Sequence, residues 1–188
     1  MNLILHTERL TLAPLSKSDL DIVTELFTNP KVVEYAGAVM EEAAIRAEIL
    51  KWTRRGGNGC IGIWCVKSRD SGEKLGTGAL LPMPIDEDNT DFDLVVPGQM
   101  PDADIEIGYF LKPSAWRKGF ATEICRRLVR FAFKESPLEE VVASFDPGNE
   151  PSRNVLAKSG FEDRGMRRCY GEESPDYRIT REGYLRYL

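Results

Sequence analysis

Six consecutive residues, Arg117-Lys118-Gly119-Phe120-Ala121-Thr122, carry the most specific chemistry in the chain. They join a segment that reads as a strand, Ile105-Glu106-Ile107-Gly108-Tyr109-Phe110-Leu111, to one that reads as a helix over residues 120–134. The first amides of a helix have no intrahelical partner and point outward. The helix end adds roughly half a positive charge. Gly119 has no Cβ to block a close approach and Ala121 is nearly as small, while Arg117 and Lys118 add formal charge. Strand, basic glycine turn and helix together make an anion site of the kind that holds a phosphate-bearing ligand. The competing reading is a basic surface turn that caps an ordinary helix. A P-loop is absent, and Gly76-x-Gly78 lacks the third glycine and following helix of a dinucleotide fingerprint.

The elements that must position this turn can be read from periodicity. Helix 120–134 places Ala121, Ile124, Cys125, Leu128, Phe131 and Ala132 on one apolar face, with Glu123 and Arg127 as an expected i,i+4 pair on the other. Upstream, residues 9–15 alternate as a strand. A helix from Asp19 to about Phe27 follows, with Ser16 or Ser18 as cap, and Asn29-Pro30 ends it. A second helix spans residues 41–54, and strands over 60–66 and 74–81 flank a turn at Asp70-Ser71-Gly72. Downstream come a strand over 140–145, a turn at 146–152 and a helix ending at Ser159-Gly160. Two short strands are then expected around Glu172-Glu173-Ser174-Pro175. Residues 82–103 read as irregular and contain the acidic run Asp86-Glu87-Asp88-Asn89-Thr90-Asp91-Phe92-Asp93. Such a run is either a solvated loop or a wall that attracts a cationic substrate.

With no repeat and no linker, residues 1–188 read as one α+β domain. The net charge of −5 argues against a nucleic-acid partner, which would need clustered excess base. No apolar run approaches the roughly 18 residues that would cross a membrane. No signal peptide is read at the N-terminus. Cys60, Cys65, Cys125 and Cys169 form no C-x-x-C and His6 is the only histidine, so no metal site is expected. Four reduced cysteines suit a cytoplasmic protein.

Residues 105–133 resemble the acetyl-CoA-binding core of the GNAT N-acetyltransferases, whose [QR]-x-x-G-x-[GA] signature appears here as Trp116-x-x-Gly119-x-Ala121. The Trp departs from the general signature and resembles the ribosomal-protein N-terminal acetyltransferase branch. So do Asn149-x-x-Ser152-Arg153-x-x-Leu156-x-Lys158-x-Gly160-Phe161 and the opening Thr7-Glu8-Arg9-Leu10-x-Leu12. The resemblance implies a mixed, mostly antiparallel central sheet flanked by helices and splayed between the fourth and fifth strands. The pantetheine of acetyl-CoA would enter that split and meet the backbone of Phe110 and Leu111. The amides of Arg117, Lys118, Gly119, Phe120, Ala121 and Thr122 would hold the pyrophosphate, and Asn149 would bond the pantetheine arm.

The same resemblance implies acetyl transfer to a primary amine, a protein N-terminus or a small molecule, by direct attack in a ternary complex. A free amine with a pKa near 10.4 must lose its proton before it attacks. Glu106 matches the base position of several family members, and a strand-edge carboxylate is the alternative role. Leu156 stands where many members carry an acid tyrosine. Ser152 matches the serine assigned as acid in the branch, with helix capping as its alternative role. Tyr170 and Tyr177 are further acid candidates, and the Phe110 N–H is the expected oxyanion donor. A non-catalytic acyl-CoA-binding or sensing module is the competing function. The oligomeric state, a homodimer included, is left open.

Overall fold

The computed structural model describes residues 2–187. Its β-sheet has eight strands in the order β1-β2-β3-β4-β5-β6-β8-β7 among the described residues. These are β1 (Leu5–His6), β2 (Leu10–Pro14), β3 (Gly62–Ser68), β4 (Lys74–Pro82), β5 (Ile105–Leu111), β6 (Glu140–Ala143), β7 (Glu162–Cys169) and β8 (Glu172–Thr180). Because the two-residue β1 comes first, the strand expected as fourth is β5. Strands β1 to β5 form one antiparallel wing and β6, β8, β7 another. The wings meet through the one parallel pair in the sheet, Glu106 with Val142. Beyond that pair β5 and β6 diverge, which is the expected splay.

Side-chain alternation along the strands separates two apolar layers. One face packs against α4 (Phe120–Glu135), whose Ile124, Leu128, Phe131 and Ala132 repeat at helical spacing and bury against Leu12, Trp64, Ile107 and Leu111. The α5 helix (Glu150–Lys158) lies beside it and inserts Leu156. The other face carries α1 (Leu20–Phe27) and α3 (Glu42–Trp52), with Ile22, Val23, Leu26, Ile45 and Ile49 around Cys65. Phe110 packs on that layer, its ring 5.1 Å from Phe27. At Gly78 a Cβ would meet Ile124 and Leu128 of α4 at 2.9 and 3.1 Å, so the missing side chain there lets β4 pack close to α4.

Four expectations change. Asn29-Pro30 ends α1 but also starts a one-turn helix, α2 (Pro30–Val33), for which the Asn29 side chain accepts the Lys31 N–H at 3.0 Å. The C-terminal strands are eight and nine residues long and turn at Tyr170-Gly171, so Glu172–Pro175 lie within β8. Positive φ at both turn residues (52° and 74°) fits a two-residue hairpin loop. A last helix, α6 (Arg181–Tyr187), follows β8. Finally, Glu123 and Arg127 are not each other's partner: Glu123 pairs with Arg9 at 2.6 Å and Arg127 with Glu135 at 2.9 Å.

Candidate active site

The phosphate turn begins where β5 ends. Residues Pro113–Ala115 make a single tight turn, and the Trp116 indole N–H donates to the Leu111 carbonyl at 2.6 Å, tying the turn to the strand. That bond gives the tryptophan at the first signature position a local purpose. Arg117 then adopts φ +59° and Gly119 φ +79° as the N-cap of α4. A left-handed backbone costs a non-glycine residue about 1–2 kcal/mol, so Arg117 stores strain that Gly119 does not. Alternation of right- and left-handed residues turns successive N–H groups toward one side. The amides of residues 117–122 donate to no acceptor among the described residues, and the first bond back into the turn is Glu123 N–H to the Gly119 carbonyl at 3.1 Å. Six open amides with the exposed Arg117 and Lys118 fit a diphosphate.

The register of β4 and β5 decides which backbone faces the split. Lys112 N–H donates to the Leu75 carbonyl at 3.0 Å, and Met83 N–H to the Asp104 carbonyl at 2.8 Å. With the unbroken pairing of Gly76 with Leu111 through Pro82 with Ile105, these two bonds fix the alternation. Even-numbered residues of β5 exchange hydrogen bonds with β4, and odd-numbered ones point away from it. The Phe110 amide is therefore committed to Thr77, which corrects the expectation that it meets the pantetheine or the oxyanion. Tyr109 and Leu111 present their backbone to the split, although the Leu111 carbonyl is taken by Trp116.

Glu106 sits on β5 at the single bridge to β6. Its carboxylate accepts a hydrogen bond from the Tyr170 hydroxyl at the β7–β8 turn. Burial pushes its pKa up to about 8, while the Arg167 guanidinium pulls weakly the other way. Arg167 itself donates to Asp104 at 2.8 Å and has two buried nitrogens, Nε and one Nη, without a hydrogen-bond partner. Tyr170 and Gly171 are pinned through their amides to the carbonyls of Pro84 and Ile85, at 3.3 and 2.9 Å. Arg168 pairs with Asp86 at 2.6 Å. The acidic segment is thus joined to the hairpin tip that touches Glu106. Its far end is held by Arg54, which pairs with Asp93 at 2.7 Å, and by Gly57 N–H to the Gln99 carbonyl at 2.7 Å. Glu87 and Asp88, between these anchors, are exposed and make no ion pair among the described residues.

Asn149 is the N-cap of α5, its side-chain oxygen accepting the Ser152 N–H at 3.1 Å. The capping role considered for Ser152 therefore belongs to Asn149. The Ser152 hydroxyl lies near enough to the phenol of Tyr109 to influence it: burial raises the Tyr109 pKa, Cys125 adds to the rise and Ser152 opposes it. By strand alternation Glu106 lies on the α1/α3 side of β5, whereas Tyr109 and Ser152 lie on the α4/α5 side. The two groups can serve one ligand only across the strand edge that the split uncovers. Leu156 is 2% exposed within the core, so it lines the fold rather than the site. Tyr177 meets the Phe145 ring edge-to-face and donates to Asp163, away from Glu106. Cys65 and Cys125 are pushed up to about 12 by burial and stay protonated, which removes both as acyl carriers. Sequence reading missed Tyr109 as a site residue and gave Arg167 no role. Neither lies in a motif, and only the Tyr170-Gly171 pair carried a local turn signal.

A split sheet with an open-amide turn at one end and a half-buried carboxylate at the other is the architecture of an acyl-CoA-dependent transferase. Residues 9–162 match the family described as the acetyltransferase (GNAT) domain, and the chain belongs to that family as an acetyl-CoA-dependent N-acetyltransferase. It is 30% identical over 193 residues to the FsC-acetyl coenzyme A-N(2)-transacetylase of Aspergillus fumigatus, covering 97% of this chain and 78% of that one. Among solved structures, a GNAT acetyltransferase from Bacillus anthracis aligns with a TM-score of 0.73 at 21% identity, covering 95% of this chain and 99% of that one. The aminoglycoside acetyltransferase AAC(6')-Ib in complex with coenzyme A aligns with a TM-score of 0.69 at 19% identity, over 94% and 98% of the two chains. No helix among the described residues is long and apolar enough to cross a membrane.

Proposed function

We propose that the acetyl acceptor is the primary amine of a small cationic molecule, and that Glu106 removes its proton. One observation carries this reading: the acidic segment is fastened to the hairpin that touches Glu106, so Glu87 and Asp88 are held as fixed negative charge near the base rather than on a free loop. The likeness to the fold of an aminoglycoside acetyltransferase is in keeping with a small amine acceptor. A protein N-terminus is the alternative acceptor, which the same assay distinguishes.

Each residue then has a task. The amides of Arg117 to Thr122, with the Arg117 and Lys118 side chains, hold the pyrophosphate of acetyl-CoA. The backbone of Tyr109 and Leu111 and the Asn149 amide group orient the pantetheine arm, which supplies the acetyl thioester. The Tyr109 N–H, rather than that of Phe110, lies on the strand edge where an oxyanion would need a donor. Ionised Glu106 accepts a proton from the ammonium form of the acceptor, directly or through one water. The neutral amine attacks in a ternary complex. As the C–S bond breaks, Ser152, beside the Tyr109 phenol, is positioned to give its proton to the leaving sulfur and to recover one from the nitrogen, which sheds its second proton as the amide forms. These assignments are consistent with a cytoplasmic setting, where the acetyl donor is made and thiols stay reduced.

The test is thiol release from acetyl-CoA against a panel of polyamines, amino sugars and N-terminal peptides. Turnover confined to small cations is expected, and preference for the peptides would replace this acceptor. Glu106→Gln should still bind CoA but lose turnover by roughly a hundredfold or more. Unchanged turnover in that variant would remove Glu106 as base. Absence of turnover in the wild type with every amine, despite CoA binding, would favour a sensing module.

A further inference from the structure

The phosphate turn is held by more than its own strand and helix. The turn between β1 and β2, residues Thr7 to Leu10, reaches across to it from more than a hundred positions away in the chain. The Arg9 guanidinium donates from Nη1 to the Lys118 carbonyl at 2.9 Å and from Nε to Glu123 Oε2 at 2.7 Å, and its second Nη lies 2.6 Å from the same oxygen. Its plane lies over the Phe120 ring, 4.6 Å from the centroid. The Arg9 N–H donates to Glu123 Oε1 at 3.0 Å, and the Thr7 hydroxyl donates to that oxygen too. The reach is braced from behind: Arg69 donates to the carbonyls of Thr7 and Glu8 at 2.7 and 3.2 Å, and Arg127 to that of His6 at 3.1 Å.

These contacts do two things for an anion. Lys118 lies between the two left-handed residues, and fixing its carbonyl fixes the plane of the Lys118–Gly119 peptide and hence the direction of the Gly119 N–H at the centre of the open amides. Glu123 lies in the first turn of α4, where a bare carboxylate would repel a diphosphate at the same helix end. Arg9 cancels that charge and forks it away from the amides. We propose that Arg9 is a positioning residue of the acetyl-CoA site, acting through Lys118 and Glu123 to aim the phosphate-receiving amides and to neutralise the acid in the first turn of α4. This rests on the acetyl-CoA reading of the turn and gives the Thr7-Glu8-Arg9-Leu10 segment a task.

The test is CoA affinity by titration calorimetry on the full chain, with Tm recorded for each variant. Wild type should bind, and Arg9→Ala should bind roughly tenfold or more weakly, since misaimed groups lose their purchase on the ligand. Arg9→Lys keeps the charge without the planar fork and should recover only part of the loss. The decisive variant is Arg9→Ala with Glu123→Gln. If Arg9 offsets a repulsive carboxylate, the double variant binds CoA more tightly than Arg9→Ala alone, although it has lost one more native contact. A merely structural role predicts the opposite order. Equal affinity of wild type and Arg9→Ala, or a double variant no tighter than the single, overturns the proposal. Should Arg9→Ala not fold, Arg9→Lys with and without Glu123→Gln gives the same comparison. A wild type without CoA affinity would instead overturn the acetyl-CoA reading itself, so the two failures are distinct.

Discussion

Glu106 is a carboxylate under opposed influences. Burial drives its pKa to about 8, whereas Arg167 and the Tyr170 hydroxyl favour the ionised form. If the ionised form is the base, kcat/KM for the acceptor should rise with pH through about 8, and Glu106→Gln should flatten that limb. Tyr170→Phe removes a donor to the carboxylate, so its limb should move to higher pH; movement to lower pH would mean that the hydroxyl bonds the protonated form. The same shift bears on stability. The folded state holds this proton above the carboxyl's usual pKa near 4.5, so stability falls as pH rises from there through 8. Glu106→Gln escapes that loss and should gain on wild type between pH 6 and pH 9 in urea denaturation. A second pair separates capping from chemistry. Asn149→Ala should cost about 1 kcal/mol of stability as a lost N-cap, whereas Ser152→Ala should leave the helix start intact and act on turnover. Equal destabilisation by both would return Ser152 to a capping role.

At the scale of elements, β5 does most of the positioning, because one strand carries Glu106, the split-facing backbone and the lead into the basic turn. It depends on close contact with β4: a Cβ on Gly76 would collide with the Phe110 carbonyl oxygen and lie 2.9 Å from the Leu111 Cα. Gly76→Ala should therefore part the strands at the end nearest the turn and weaken both folding and CoA binding, read by Tm and calorimetry. The elements were legible to unequal degrees. Strand 105–111 agrees residue for residue and α4 ends one residue beyond its expectation, because apolar spacing and the Gly119 start signal act locally. The β7 sequence, Glu-Asp-Arg-Gly-Met-Arg-Arg-Cys, hid its strand, since an exposed edge strand is largely charged and lacks alternation. Phe110 was misjudged for another reason. Which backbone groups of a strand are committed depends on the register with its neighbour, and that is not written in the strand itself. Glu123 found Arg9 rather than Arg127 because long-range partners are invisible to local spacing rules.

For the molecule as a whole, the formal charge of −5 is distributed unevenly. The turn at Arg117 and Lys118 is basic, while Glu87 and Asp88, unpaired among the described residues, stand near Glu106. On the proposed function, the acceptor and the donor would be drawn by fields of opposite sign. For a polycationic acceptor, kcat/KM should fall as salt rises, because attraction between exposed charges is screened over about 10 Å at 0.1 M. Glu87→Lys with Asp88→Lys should lower the acceptor's kcat/KM and flatten its salt response while leaving CoA affinity unchanged. An unaltered salt response would place the acceptor elsewhere.

The divided sheet also bears on how the protein persists. Its two wings share one ladder pair, so along most of its length β5 is an edge in the middle of the fold. A pantetheine arm laid against Tyr109 and Leu111 would stand in for the strand that is missing there. Amide protons at those two positions should exchange readily in the free protein and become protected when CoA is present. Durability would then track the acetyl-CoA supply: a well-fed cell would hold a closed, protease-resistant enzyme, and a starved one a protein with a seam.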